Sequence, residues 1–400
     1  MHTHLSTRKE LLLLLVLAGI QFTHIVDFMI MMPLGPQLTG LFDISFAEFG
    51  LLVSAYTVAA GLSGLFATMF IDRFDRKRLL LTLYVLFALT TVACGVAPTY
   101  GWLMAARIAS GFFGGVLSTM TQTIIGDVVP FARRGRATGI VMTSFSVATV
   151  AGVPAGLLFA NQWGWHTAFF AIGVMCLIVG ILAVYSVPKL DAHVAHAKDK
   201  HVLHAMGQVL GEANQRMALL LSATMLFSAF TIIPYITLYM QKNQVMAAHE
   251  IPWLYFCGGV VTLFSGRWVG SVTDRLGKRQ TFQRAALFSI IPMFAITLLQ
   301  PVPLYVVLLV TTSLFFAMNA RMIPGMALLT SAANPKFRGT FLSLNGAMQS
   351  FSMGVASWIG GNLLQSEPSG QVTHYWQCGV VAACASLVAY DLAKRVSMHE

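Results

Sequence analysis

Asp27 stands in the stretch FTHIVDFMIMMP, Phe22 to Pro33, directly after Ile25 and Val26 and before an apolar run of more than a helical turn. Gln21, His24 and Asp27 step by three, so on a helix they share one broad face. In hydrocarbon an isolated charge costs at least about 2.5–3.5 kcal/mol on insertion scales, so it is neutralised, paired or hydrated. A neighbouring cation favours the ionised carboxylate and loss of water favours the neutral one. A carboxylate held between these two, alternately dry and wet, can trade a proton for a cationic or polar molecule. Two further charges, Arg107 and Arg321, lie in equally apolar surroundings.

This chemistry requires a membrane, and the composition supplies one. Hydrophobic residues make up 56% of 400 positions, charged residues 10%, and the mean hydropathy is +0.73. Soluble domains average roughly 25% charged residues. Apolar stretches of the length that crosses about 30 Å of hydrocarbon recur along the chain. We read twelve: 10–34, 47–71, 78–98, 101–127, 137–159, 167–187, 216–241, 251–273, 281–300, 303–330, 338–362 and 374–393. The predicted fold class is an all-α integral membrane protein with twelve transmembrane helices.

With a cytoplasmic N-terminus, 21 of the 25 Lys and Arg fall on inner segments and inner span ends, one (Lys242) lies outside, and three (Arg107, Arg267, Arg321) lie within spans. This asymmetry supports both the span count and the orientation. It also accounts for the net charge of +10 without nucleic acid. The five cysteines all fall in spans and read as small buried residues, not as disulfides or a metal site. The N-terminal run lacks a small-residue cleavage site and reads as a retained first span.

The longest polar stretch, Lys189 to Arg216, follows span six. It divides the chain into an N-terminal six-helix bundle (1–188), a cytoplasmic linker (189–215) and a C-terminal six-helix bundle (216–400). His193, His196, His201 and His204 fall in the linker. They read as part of a solvated amphipathic segment, with metal binding as the alternative.

The halves repeat. IDRFDRKR follows span two and TDRLGKRQ follows span eight. Asp72 maps to Asp274, Pro130 to Pro335, Gly135 to Gly339 and Gly156 to Gly360, at nearly constant spacing. Six plus six helices in parallel repeats point to a transporter with its site between the halves. On these motifs the chain resembles the major facilitator superfamily over essentially its whole length. Within it, the chain is similar to the twelve-span drug:proton antiporters of the arabinose-efflux-permease-like branch. The family loop signature, G-x-x-x-D-R-x-G-R-[KR], is matched by Gly270, Asp274, Arg275, Gly277, Lys278 and Arg279. The first copy keeps Asp72, Arg73, Arg76 and Lys77, with Thr68 and Asp75 in place of the glycines. The span-four signature R-x-x-x-G-x-x-G occurs as Arg107, Gly111 and Gly114. The span-five antiporter signature occurs as Gly152-Val153-Pro154-Ala155-Gly156, the G-x-P-x-G form and not the fuller G-P-x-x-G-G.

A carboxylate at a cytoplasmic helix end, followed by cations, can bridge to a neighbouring helix N-terminus and to facing arginines while that side is closed. The loop motifs are therefore read as a cytoplasmic gate, with topology-fixing alone as the alternative. Gly152, Pro154 and Gly156 allow close helix approach and bending, and are read as a span-five hinge. Asp27 lies roughly 12 Å from the outer end of span one and Arg107 roughly 9 Å into span four. The resemblance puts both spans on the central cavity, so the two residues are expected to pair and, with His24, to handle the proton. The alternative is an ion pair that only locks the two spans together. Gln21, Asn319, Arg321, Asn345 and Gln349 are the candidate substrate-cavity residues. Arg321 lies about 27 Å from the outer end of span ten, with Asp127 as its nearest acidic candidate and helix-end carbonyls as the alternative. Asn345 and Gln349 either bond substrate or join helices.

The expected function is secondary active transport, a proton-coupled antiporter exporting small molecules by alternating access. The alternatives are a facilitator or symporter importing a metabolite, and a non-transporting receptor or lipid-binding scaffold. No G-x-x-x-x-G-K-[ST] motor motif occurs. Gly61-Leu62-Ser63-Gly64 imitates an intramembrane protease nucleophile, but twelve spans are too many for one. No enzyme activity, cofactor or metal is expected. The expected partners are a small-molecule substrate, protons and membrane lipid, acting on a monomer in a bacterial inner membrane with both termini cytoplasmic.

Overall fold

The computed structural model describes residues 7–130, 133–190, 202–368 and 370–398, without the side chains of Thr7, Asp72, Val202 and Pro335. His193, His196 and His201 lie outside the described residues. A long helical segment stands at each of the twelve expected spans. The first half holds α1 (Thr7–Ile30), a short α2 (Gly35–Phe42), α3 (Phe46–Phe70), α4 (Arg76–Gly95) and α5 (Tyr100–Val128). It continues with α6 (Arg134–Val147), a π-helical turn at Ala148–Gly152, α7 (Val153–Trp163) and α8 (His166–Ser186). The second half opens with α9 (Val202–Gly211), α10 (Ala213–Phe230) and α11 (Ile236–Lys242). It then runs through α12 (Ile251–Leu276), α13 (Lys278–Thr297), α14 (Leu304–Ala332), α15 (Arg338–Leu363) and α16 (Tyr375–Arg395). A two-residue antiparallel ladder between α15 and α16 pairs Gln365 with Thr373 and Ser366 with Val372. Among the described residues nine helical segments are long and apolar enough to cross a membrane on their own; α12, α13 and α15 are outside that set.

One span expected to be continuous is broken, and another ends close to where it was expected to. Span one ends its helix at Ile30, shortly before its expected end, and a short α2 follows a turn through residues 31–34. Pro33 disfavours helical backbone at the residue before it, which ends the run here. Span seven breaks after Phe230 and passes through a 3-10 turn at Ile233–Tyr235 before α11. Pro234 has no N–H and its ring opposes the carbonyl four residues back. The Ile232 carbonyl in the break accepts from the Tyr235 N–H at 3.1 Å and from the Tyr375 hydroxyl at 2.9 Å, which ties the bent backbone to α16.

The two loop motifs are built differently, for a reason visible in their sequences. In the second, Gly277 at φ +86° is both the end of α12 and the start of α13, a backbone that favours glycine. In the first, α3 runs into a 3-10 turn at Ile71–Arg73, and Asp75 caps α4 at φ −58°. Its carboxylate accepts from the backbone N–H of Lys77 at 2.8 Å and Arg78 at 3.3 Å. An aspartate replaces the glycine because here the turn needs an N-cap, not a positive φ.

The chain divides into two compact units. One takes the described residues of Met1–Ile30 and Ala59–His201, the other those of Met31–Val58 and Val202–Glu400. α3 is shared. Its C-terminal half packs on α5 in the first unit, where Gly115 lies so close to the Ala60 backbone that a Cβ would overlap it. Its N-terminal half packs on α15 in the second unit. There a Cβ on Gly354 would meet Val58 at 2.7 Å and Thr57 Oγ1 at 2.9 Å.

Candidate functional site

The first unit encloses the Asp27–Arg107 pair. Arg107, on α5, donates from Nη1 to Asp27 Oδ2 at 3.1 Å and to the Asp27 backbone carbonyl at 3.1 Å. Both side chains are 0% exposed. Asp27 is in the last turn of α1, so the same guanidinium also places its charge near the negative end of the helix dipole. The Cys94 thiol of α4 lies against Arg107 and meets Ser110 Oγ at 3.8 Å. His24 turns toward Phe87 with ring centroids 6.1 Å apart, and Gln21 Nε2 donates to Ser118 Oγ at 3.4 Å. The expected pairing of spans one and four is thus present. The carboxylate and guanidinium are closed off from solvent within this unit, beside α4 at Cys94.

The span-five motif lies against the opposite side of α1. Pro154 removes one backbone donor, and the chain answers with the π turn, in which Val153 N–H bonds the Ala148 carbonyl five residues back. A Cβ on Gly152 would collide with Val26 and meet Phe22 at 3.1 Å, and one on Gly156 would meet Ile30 at 2.8 Å. Phe22, Val26 and Ile30 form one ridge of α1, and the two glycines are the groove that takes it. Beside them an apolar cleft of about 210 Å³ is lined by Phe22, Val26, Gly152, Phe159, Ile172 and Met175. Ser144 adds a bond to the Ala18 carbonyl at 2.8 Å.

At the loop motifs, Arg76 is buried and forms an ion pair with Asp127 at the end of α5. Its counterpart Lys278 donates from Nζ to Ser331 Oγ at 2.6 Å, at the end of α14. Asp127 and Ser331 occupy equivalent places in the repeat, so the same bond is ionic in one half and neutral at the acceptor in the other. Arg279 Nη2 donates to the Val396 carbonyl at 2.7 Å. Arg73, Asp274 and Arg275 are exposed, and Lys77 is half-buried. Asp72 lies in the 3-10 turn, and its side chain lies outside the described residues. Sequence reasoning missed the role of Arg134, whose guanidinium bonds the Gly126 and Val129 carbonyls at 2.5 and 3.0 Å and caps the end of α5.

The candidate cavity residues of the second unit bind other helices. Asn319 Nδ2 reaches the Thr262 carbonyl at 3.1 Å and Ser265 Oγ at 2.9 Å, tying α14 to α12. Gln349 Nε2 reaches Ser222 Oγ at 2.8 Å, tying α15 to α10. Arg321 is 2% exposed and donates to Ser386 Oγ, the Met225 carbonyl and Met318 Sδ, each at 3.0 Å. Asp127, the acidic partner considered for it, is taken by Arg76. Asn345 differs from the others: it is 3% exposed, and its Oδ1 has no hydrogen-bond partner among the described residues. The five cysteines are free; Cys94, Cys176 and Cys378 are buried as expected, whereas Cys384 is exposed on α16.

Comparison with known proteins agrees with this architecture. The Major Facilitator Superfamily profile matches residues 17–357 and again 218–396. Two Bacillus subtilis (strain 168) proteins are similar over nearly the whole chain. YtbD, an uncharacterized MFS-type transporter, is 26% identical over 390 residues, covering 96% of each chain. YbcL, described in the same words, is 24% identical over 367 residues, covering 91% of this chain and 92% of its own. Among solved structures, a D-xylose-proton symporter superposes with a TM-score of 0.75 at 18% identity, over 96% of this chain and 97% of that one. A bacterial homologue of the human lysosomal transporter Spinster, inward-facing and unoccupied, gives 0.73 at 16% identity, over 98% and 95%. At these identities the solved structures carry the fold alone. The repeated loop motifs, the twelve helical segments and the sequence match together lead to one conclusion: this chain is a multi-pass membrane protein that belongs to the Major Facilitator Superfamily.

Proposed function

We propose that the protein is a proton-coupled secondary transporter that exports small molecules by alternating access, with Asp27 as the group that carries the proton. The observation that supports this reading is the closed Asp27–Arg107 pair. Two opposite charges removed from water inside a membrane unit are costly to keep. A lock between spans one and four could be made more cheaply by apolar packing. Protonation of Asp27 would release Arg107 from its side-chain bond while leaving the bond to the Asp27 carbonyl in place. One proton could then alter the contact without dismantling the helix end.

Export is supported by the span-five G-x-P-x-G segment, which resembles the antiporter signature. The shorter form of that motif is the observation on the side of the second reading, a symporter or facilitator importing a metabolite. The Asn345 amide, whose oxygen has no hydrogen-bond partner among the described residues, is the substrate contact we favour. Asn319, Arg321 and Gln349 are better explained as ties between helices. The charge asymmetry supports a bacterial inner-membrane location with cytoplasmic termini, the protein acting as a monomer.

The test is accumulation of substrate in proteoliposomes under an imposed pH gradient, using a panel of cationic, neutral and anionic compounds. Wild type should accumulate or expel at least one compound in proportion to the gradient, and Asp27→Asn should not. Gradient-driven movement by Asp27→Asn equal to wild type would remove Asp27 as the carrier and make His24 the next residue to test.

A further inference from the structure

The helix α9 divides its surface into three sectors. At ten residues it is about 15 Å long, too short to cross a bilayer. Ala205, Met206 and Val209 make the sector that packs on the protein, against α10 and α15, and Val209 is 0% exposed. Leu203, Gly207 and Leu210 fall within an arc of roughly 60°, and the two leucines are 67% and 45% exposed. His204 and Gln208 make the third sector, linked to each other at 3.4 Å.

A helix on the rim of a water-exposed face needs only two sectors, one packed and one polar. The third, an exposed apolar stripe beside the packed one, needs a second apolar medium. Its nature follows from where α9 is attached. Only Glu212 separates α9 from α10, the seventh span, whose N-terminal end is on the basic, inner side of the charge distribution. α9 therefore sits at the level where the bilayer begins. Arg216, in the first turn of α10, is exposed and available to lipid phosphates at the same level.

We propose that α9 is an interfacial helix, lying along the inner leaflet with Leu203 and Leu210 in the acyl boundary and His204 and Gln208 toward the cytoplasm. The occupant of the apolar stripe is phospholipid. Such a helix fixes the end of the polar linker to the membrane surface, so that the linker enters the second half from a set height. This inference does not depend on proton coupling or on the direction of transport.

The experiment places a benzophenone-bearing amino acid at Leu203, Leu210 or Gln208, one at a time, in the full-length chain. The protein is reconstituted in liposomes of phosphatidylethanolamine and phosphatidylglycerol, irradiated, and read by mass spectrometry for phospholipid adducts. All three positions are exposed, so the fold is preserved. Adducts should form at positions 203 and 210 severalfold more than at 208. Equal, low yields at all three positions would show a water-facing stripe and overturn the proposal. Crosslinks from 203 and 210 to a second copy of the chain, in place of lipid, would overturn it as well.

Discussion

Arg107 Nη1 stands 3.1 Å from two oxygens of one residue, the Oδ2 and the backbone carbonyl of Asp27. One contact depends on the charge of the carboxylate and the other does not. The second would persist if Asp27 were protonated, because the carbonyl belongs to the end of α1. This separates two roles that the sequence presents as one: Arg107 as counter-ion of the Asp27 carboxylate, and Arg107 as a donor to the last turn of α1.

The separation predicts an ordering of stabilities. Arg107→Ala removes both contacts and leaves Asp27 buried, so it should be the most destabilising single change, on the order of 3 kcal/mol. Asp27→Asn keeps the carbonyl contact and should cost less. The double variant should be less destabilised than the sum of the singles, because each single strands a buried partner. Thermal unfolding of the purified protein in one detergent, for wild type, both singles and the double, reads this directly. Strict additivity would mean that the two side chains do not interact.

The unequal loop bonds give a second ordering. Asp127→Ala strands the buried Arg76 cation. Asp127 is about a third exposed, so solvent screening reduces the loss, to roughly 1–2 kcal/mol. Ser331→Ala removes a hydrogen bond from the half-buried Lys278, worth about 1 kcal/mol or less. The first half should therefore be the more sensitive to loss of its span-end acceptor. Salt should narrow the gap, since it screens the charged pair more. Melting temperatures of the two variants at low and high ionic strength check both statements.

Much of this architecture is legible in the residues. The spans follow from hydropathy; the spacing of Asp27 and Arg107 from their span ends gives them similar depth, and the family resemblance, which puts spans one and four side by side, implies their meeting. Asp75 before RKRLLL also carries a readable signal, an aspartate N-cap ahead of an apolar run. The break at Pro234 is signalled by proline, yet the run FTIIPYITLYM carries no charge and is mostly apolar, so it reads as one span. Where a polar side chain points is less legible. Asn319, Asn345 and Gln349 have the same chemistry and similar surroundings in sequence. Only three-dimensional neighbours such as Ser265 and Ser222 separate the tied amides from Asn345.

The groove at span five gives a third prediction. A Cβ at Gly152 overlaps a Val26 methyl. That methyl is the far end of a side chain, so the conflict can be removed. Gly152→Ala should cost about 1–3 kcal/mol as an overpacked contact, and Val26→Ala should restore part of the loss when combined with it. The single Val26→Ala should be mildly destabilising, so the double would be better than additive. Unfolding temperature and reconstituted flux of the three variants form the test. No rescue would mean that Gly152 is needed for the π turn and not for the approach of α1.

The N-terminal half of α3 supplies the last prediction. A Cβ on Gly361 would meet the Phe46 carbonyl at 2.5 Å, the Tyr235 hydroxyl at 2.8 Å and Ala47 Cα at 3.1 Å. Two of these are backbone atoms of α3 or its first turn and cannot rotate away. Tyr235 is itself fixed, since it is fully buried and donates to the Ser357 carbonyl. Gly361→Ala should therefore push α15 from α3 and loosen this contact, at the end of α3 that the charge asymmetry predicts to face outside. Thr57, 2% exposed beneath the contact, is the reporter. In a Thr57→Cys background, a membrane-impermeant thiol reagent added from outside should react faster once Gly361→Ala is introduced. A shift of about 1.4 kcal/mol in the opening equilibrium is tenfold in that rate, within the usual cost of overpacking. Gly346→Ala is the control: it lies on the same helix, and its Cβ would meet nothing within 4 Å, so the rate should stay at the background value. Equal labelling in the Gly361→Ala and Gly346→Ala proteins would show that the glycine contact does not hold this side closed.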